Sequence, residues 1–214
     1  MSARPHIKIC GINSLAALDA AIAARASHAG FNFYAPSPRF ADLNLAAQLS
    51  QRSAGAILRV GVFVDPSDAL LAEVLGAAPL DAVQFHGSES PQRLAQARAQ
   101  FGLPVWKVLS VSARSDLDKA AAYAGAADFL LLDAKTPKGT LPGGMGLSFD
   151  WDLLSGWKAP LPWGLAGGLT PGTVGEAVRR TGAPLVDTAS GVESAPGVKD
   201  PDLIAAFCKA ARTT

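Results

Sequence analysis

Short apolar runs alternate with alanine-rich amphipathic runs along the whole of this 214-residue chain. The strand candidates are residues 7–10, 29–34, 57–64, 82–86, 105–111, 129–133, 163–166 and 185–188, each a short β-branched or apolar run. A helix candidate follows nearly every one: residues 14–25, 43–52, 67–75, 91–101, 115–123, 150–154, 171–180 and 201–212. Ser14 opens the first at an N-cap position, Asp42 precedes the second, and Pro91 suits the first turn of the fourth. About eight β-then-α units in a chain of this length match a closed (β/α)8 barrel. An open doubly wound sheet would lead with a G-x-G-x-x-G turn after its first strand. Here that turn is Cys10-Gly11-Ile12-Asn13, which lacks the spacing. No linker interrupts the pattern, so residues 1–214 are expected to form a single-domain TIM barrel. The glycine-rich residues 138–146 are expected to form a mobile loop over its active face.

Composition narrows the function. The formal net charge is +1 and no basic block stands out, which argues against a nucleic-acid partner. No apolar stretch approaches the ~20 residues needed to span a bilayer, and no secretory signal is evident. Cys10 and Cys208 lie at opposite ends of the chain, giving neither a disulfide framework nor zinc spacing. The three histidines are scattered. No metal is expected, and the compartment is expected to be reducing and cytoplasmic.

In a barrel, the C-terminal ends of the strands converge on one mouth, where the chemistry resides. Read in order, those ends carry Cys10, then Arg39 in the following loop, Gln84 and His86, Asp133, Gly167-Gly168, and Asp187 with Ser190-Gly191. Gly167-Gly168 closes the seventh strand and Ser190-Gly191 the eighth. Loops at these two positions often hold phosphate, because backbone N–H groups reach its oxygens where no side chain intervenes. A phosphorylated small molecule follows; the alternative is that the glycines only turn the chain. A thiol at Cys10 serves as nucleophile or base, or else is a small core residue. Asp133 ends the run Phe129-Leu130-Leu131-Leu132, an expensive place for a carboxylate without a task. Arg39 follows Pro36-Ser37-Pro38, a stiff loop suited to bidentate capture of a carboxylate. Lys8 and Lys107 are expected to point into the barrel. Cys208 sits among Ala, Ile and Phe in the last helix and reads as core.

Taken together, these segments resemble the phosphoribosylanthranilate isomerases of tryptophan biosynthesis. The resemblance rests on Lys8-Ile9-Cys10-Gly11-Ile12, Phe31-Asn32-Phe33-Tyr34 with Ser37-Pro38-Arg39, Arg59-Val60-Gly61-Val62-Phe63-Val64, Val83-Gln84-Phe85-His86-Gly87, Leu131-Leu132-Asp133-Ala134-Lys135, Gly143-Gly144-Met145-Gly146 with Phe149-Asp150-Trp151, Leu165-Ala166-Gly167-Gly168-Leu169, and Val186-Asp187-Thr188-Ala189-Ser190-Gly191-Val192-Glu193 with Pro196-Gly197-Val198-Lys199-Asp200. These pieces stand in the family's order and cover nearly the whole chain. The resemblance implies an Amadori rearrangement of N-(5'-phosphoribosyl)anthranilate, a phosphorylated aminosugar, without metal or cofactor. It implies Asp133 as the general acid that opens the furanose ring and Cys10, as thiolate, as the base at sugar carbon 2. Arg39 would hold the anthranilate carboxylate. Gly167, Gly168, Ser190 and Gly191 would hold the phosphate. Asp187 would bond a sugar hydroxyl, and Gln84 and His86 would line the mouth. The protein would be a monomer or homodimer. Indoleglycerol phosphate synthase, a related phosphate-binding barrel, relies on a lysine acid and a glutamate at strand ends, and neither stands in the right place here.

Four positions depart from the family pattern. Arg25-Ala26-Ser27 replaces the usual Gly-Ala-Asp, so a packing or capping difference is expected. Asn32 replaces an aliphatic residue and needs a hydrogen-bond partner if it faces inward. Met145 stands where Thr or Asn is common in the glycine-rich loop.

Overall fold

A computed structural model describes residues 4–135 and 146–213. Residues 138–145 of the glycine-rich loop, Met145 included, lie outside the described residues. Eight parallel strands close into a barrel: β1 (His6–Cys10), β2 (His28–Asn32), β3 (Leu58–Phe63), β4 (Ala82–Phe85), β5 (Val105–Val111), β6 (Phe129–Ala134), β7 (Trp163–Leu165) and β8 (Leu185–Thr188). Each strand pairs with the next in sequence, and β8 returns to β1 with Lys8 opposite Asp187. Every expected strand is present, with ends shifted by two residues at most.

The helices are α1 (Leu15–Ala23), α2 (Leu43–Ser53), α3 (Asp68–Ala77), α4 (Pro91–Phe101), α5 (Arg114–Leu117), α6 (Val174–Thr181) and α7 (Pro201–Arg212). Ser14, Asp42, Ser67, Ser90 and Asp200 cap their helices, each side chain accepting a first-turn backbone N–H. The crossovers after β5 and β6 are weaker than the sequence pattern predicts. α5 lasts one turn before the chain tightens into a 3-10 segment at Asp118–Tyr123, and Trp151–Leu154 is a single 3-10 turn. Asp150 caps that turn, and Gly156 at φ +66° stops the chain soon after it. One element lies outside the sequence pattern: a hairpin of β9 (Glu193–Ala195) and β10 (Val198–Lys199) turning at Pro196-Gly197.

Strand alternation sorts the core into two layers. Val60, Ala82, Trp106, Val108, Leu131, Ala166 and Leu185 fill the barrel interior. Ile7, Ile9, Phe31, Phe63, Phe85, Leu109 and Leu132 pack outward against the helices. At the N-terminal end, the rings of His6, His28, Trp106 and Phe129 form a chain of edge and tilted contacts. Lys8 points inward as expected. Lys107 does not: it alternates with inward-facing Trp106 and Val108, and its Nζ donates to Glu89 and the Gly87 carbonyl in the loop that follows β4, both at 2.7 Å. The strand's period of two decides its side, and only the neighbours reveal the phase. Among the described residues, no helix is long and apolar enough to cross a membrane.

Candidate active site

Parallel strands bring their C-terminal ends to one face, so β1, β6, β7 and β8 deliver Cys10, Asp133, Gly167-Gly168 and Asp187 to the same mouth. A cleft there is lined by Asp133, Gly167, Gly168, Asp187, Ser190 and Gly191, with backbone of the intervening residues. The two glycine turns are locked together. Thr188 Oγ1 donates to the Leu169 carbonyl at 2.7 Å. A Cβ at Gly191 would collide with that same carbonyl oxygen, and one at Gly168 would lie 2.7 Å from the Gly146 carbonyl. Gly168 also takes φ +63°. Backbone packing this close admits only glycine, and it leaves N–H groups open to an anion.

Asp133 is buried at the rim. Its Oδ1 accepts the Ala134 N–H at 2.8 Å, and its Oδ2 lies 3.4 Å from His86 Nε2. The carboxyl faces the cleft across from Asp187. Cys10 does not line the cleft itself. Its thiol is half-buried and sits with the Lys8 ammonium beside Gly30; Lys8 Nζ donates to Asp187 Oδ1 at 2.9 Å. Burial pushes the Cys10 thiol above its ordinary value, against the pull of the Lys8 charge. Asp187 and Cys10 together hold the Lys8 ammonium charged, against the cost of its burial. Asp187 is expected from the resemblance to face a sugar hydroxyl; in this structure it anchors a lysine.

Arg39 is buried over the first turn of the barrel. Gly11, at φ +74°, makes room for it: a Cβ there would strike Arg39 Cδ. In this structure the carboxylate on Arg39 is not a ligand's but that of Glu193. Arg39 Nε and Nη2 donate to Glu193 Oε1 and Oε2 at 2.7 and 2.8 Å, the two-pronged geometry the sequence suggests. Lys199 Nζ shares Oε1 at 2.7 Å, and the Gly197 N–H reaches Oε2 at 3.2 Å. Burial opposes the charge on Glu193, but Arg39 and Lys199 hold its carboxyl below the ordinary value. Two cations therefore share one carboxylate at the edge of the mouth. Sequence reasoning misses the roles of Glu193 and Lys199 because it misses the hairpin that carries them. Pro196-Gly197, with Gly197 at φ +80°, is the signal that could have found it.

The resemblance places Gln84 on the lining of the mouth; here it shares the inward face of β4 with Ala82 and is fully buried, with Oε1 lacking a partner among the described residues. It stands beneath the mouth rather than on its surface. Asn32 meets its requirement locally: its Oδ1 accepts the Tyr34 N–H at 2.8 Å and its Nδ2 donates to Ser37 Oγ at 3.3 Å. It thereby braces the loop that carries Arg39.

A profile of the N-(5'phosphoribosyl)anthranilate (PRA) isomerase family matches residues 7–210. The chain belongs to the phosphoribosylanthranilate isomerase family. A member from Paramagnetospirillum magneticum is 55% identical over 208 residues, 97% of each chain. The crystal structure of the member from Thermotoga maritima superposes with a TM-score of 0.87 at 33% identity, covering 98% of this chain and all of that one. A further isomerase structure, in complex with reduced 1-(o-carboxyphenylamino)-1-deoxyribulose 5-phosphate, superposes at 0.85 with 31% identity over 98% of this chain and all of its own. The family's fold is thus shared from end to end.

Proposed function

We propose that this protein catalyses the Amadori rearrangement of N-(5'-phosphoribosyl)anthranilate to 1-(2-carboxyphenylamino)-1-deoxyribulose 5-phosphate in tryptophan biosynthesis, with Asp133 as general acid and Cys10 as general base. The observation that carries the reading is one mouth: Asp133 and both glycine turns line a single cleft, and Cys10 adjoins it through Lys8 and Asp187.

The chemistry suits these groups. Asp133, in its acid form, protonates the furanose ring oxygen, and the ring opens to an iminium. The iminium acidifies the C–H at carbon 2, so a thiolate is basic enough to take that proton. The electron pair released forms the carbon 1–carbon 2 double bond and neutralises the nitrogen. The resulting enolamine tautomerises to the ketone, gaining a proton at carbon 1 and losing one from the enol oxygen. The Gly167-Gly168 and Ser190-Gly191 turns hold the phosphate, so the sugar lies between acid and base. Arg39 faces the anthranilate carboxylate while Glu193 fixes the guanidinium plane. His86 steadies Asp133. The same reading places the enzyme in a reducing cytoplasm, as monomer or homodimer; both cysteines being free thiols agrees with it.

Assay of the purified protein with phosphoribosylanthranilate tests this directly. Cys10→Ala and Asp133→Asn should each lower turnover by at least ~10²-fold, the scale of general acid–base catalysis. Cys208→Ala, a change in the last helix, should leave turnover near wild type. Full activity in Cys10→Ala would reassign the base.

A further inference from the structure

The mechanism above leaves Lys8 without a role. It has no exposed surface and sits inside the barrel. An ammonium there is costly unless its partners repay the lost hydration. Three features of the fold place those partners. Pairing of β1 with β8 sets Lys8 opposite Asp187. The strand period of two puts Cys10 on the same face as Lys8. Gly30, beside Cys10 on β2, leaves the space both atoms use: a Cβ there would lie 3.0 Å from Cys10 Sγ and 3.2 Å from Lys8 Nζ.

We infer that Lys8 is the positioning residue for the base: its ammonium, anchored by Asp187, fixes the Cys10 sulfur and keeps its thiolate within reach. The inference rests on the reading of Cys10 as base. The charges facing Cys10 are Lys8 on its own strand, Asp187 on β8 and Lys199 on the hairpin. Asp187 in turn faces Asp133 and His86 across the cleft. Burial disfavours the thiolate, and so does the Asp187 charge. Lys8 is the strongest force in its favour, and Lys199 is a weaker one. The two partners of the Lys8–Asp187 pair therefore act on the sulfur with opposite signs. Removing the ammonium raises the thiol pKa, and removing the carboxylate charge lowers it. A lysine that only filled space would produce no such reversal.

The rate of Cys10 alkylation by iodoacetamide, measured against pH in free enzyme, reads the thiol directly. A Cys208→Ala background leaves one reporter. Lys8→Met should move the midpoint upward by about one unit or more, and the acid limb of kcat/KM should move with it. Asp187→Asn should move the alkylation midpoint downward. A folded Lys8→Met protein with the wild-type midpoint would overturn the inference. Should Lys8→Met fail to fold by circular dichroism, Asp187→Asn decides alone: a fall supports the inference, and an unchanged or raised midpoint overturns it. Failure of the underlying reading shows separately, as retained turnover in Cys10→Ala.

Discussion

Arg39 and Arg25 show how one residue type is used for opposite ends. Arg39 gives two of its N–H groups to Glu193, so its orientation is set before any ligand arrives. Such pre-organisation favours binding over turnover. Arg39→Ala should therefore raise KM more than it lowers kcat, and steady-state kinetics showing the reverse would contradict a binding role. Arg25 has no comparable use. It takes φ +57°, the left-handed conformation that glycine adopts without steric cost. It is also where the family usually carries glycine. The residue after next, Ser27, has found work of its own, bonding both the Ile7 N–H and carbonyl at 2.8 Å. Arg25→Gly should stabilise the fold by about 0.5–1 kcal/mol, net of the entropy glycine adds to the unfolded chain. Thermal unfolding of the two proteins checks it.

Among elements, the turns after β7 and β8 act as one unit because the Thr188 hydroxyl and the Gly191 backbone meet at the Leu169 carbonyl. A methyl group on residue 191 has backbone, not a flexible side chain, in its way. Gly191→Ala should displace the turn and raise KM for the phosphorylated substrate by about tenfold or more, the scale of one lost charge-assisted hydrogen bond. Weakened inhibition by inorganic phosphate should accompany it. These turns are legible in the sequence because glycine at the ends of two successive strands marks backbone that must approach something closely. The strands are legible too, since buried parallel strands read as unbroken apolar runs such as Phe129-Leu130-Leu131-Leu132 in β6. The hairpin is not: strands of three and two residues carry no periodicity, and only their Pro-Gly turn marks them. The facing of Lys107 is hidden for a related reason, because Val105–Val111 is apolar on both faces and gives no phase. The inward direction of Lys8 can be read from the sequence, but that its ammonium joins the base to Asp187 depends on β1 meeting β8, a contact 179 residues apart.

Across the whole molecule, the barrel gathers a cluster of charges at its mouth and a chain of rings at the other end. The mouth gathers Lys8, Asp187, Asp133, Arg39, Glu193 and Lys199. The opposite end is closed by His6, His28, Trp106 and Phe129. His28 is the titratable group buried in that plug, with Ser27 Oγ 2.9 Å from its Nδ1. Burial first, then the Lys8 and His6 charges, push its pKa down to about 4. Its value in the unfolded chain is about 6.5. As pH falls below that value, the unfolded chain takes up the proton while the folded protein refuses it, so acid favours unfolding. The stability at stake is fully present above pH ~6.5 and is lost progressively down to pH ~4, amounting to about 3 kcal/mol. The end of the barrel remote from the chemistry thus sets an acid limit for the fold, in a window above that of most carboxylates. His28→Leu removes the proton site and keeps an apolar group against Trp106. The drop in melting temperature between pH 7 and pH 4.5 should then be smaller than in the parent protein by about 5 °C or more. An equal drop in both proteins would assign the acid lability to other groups.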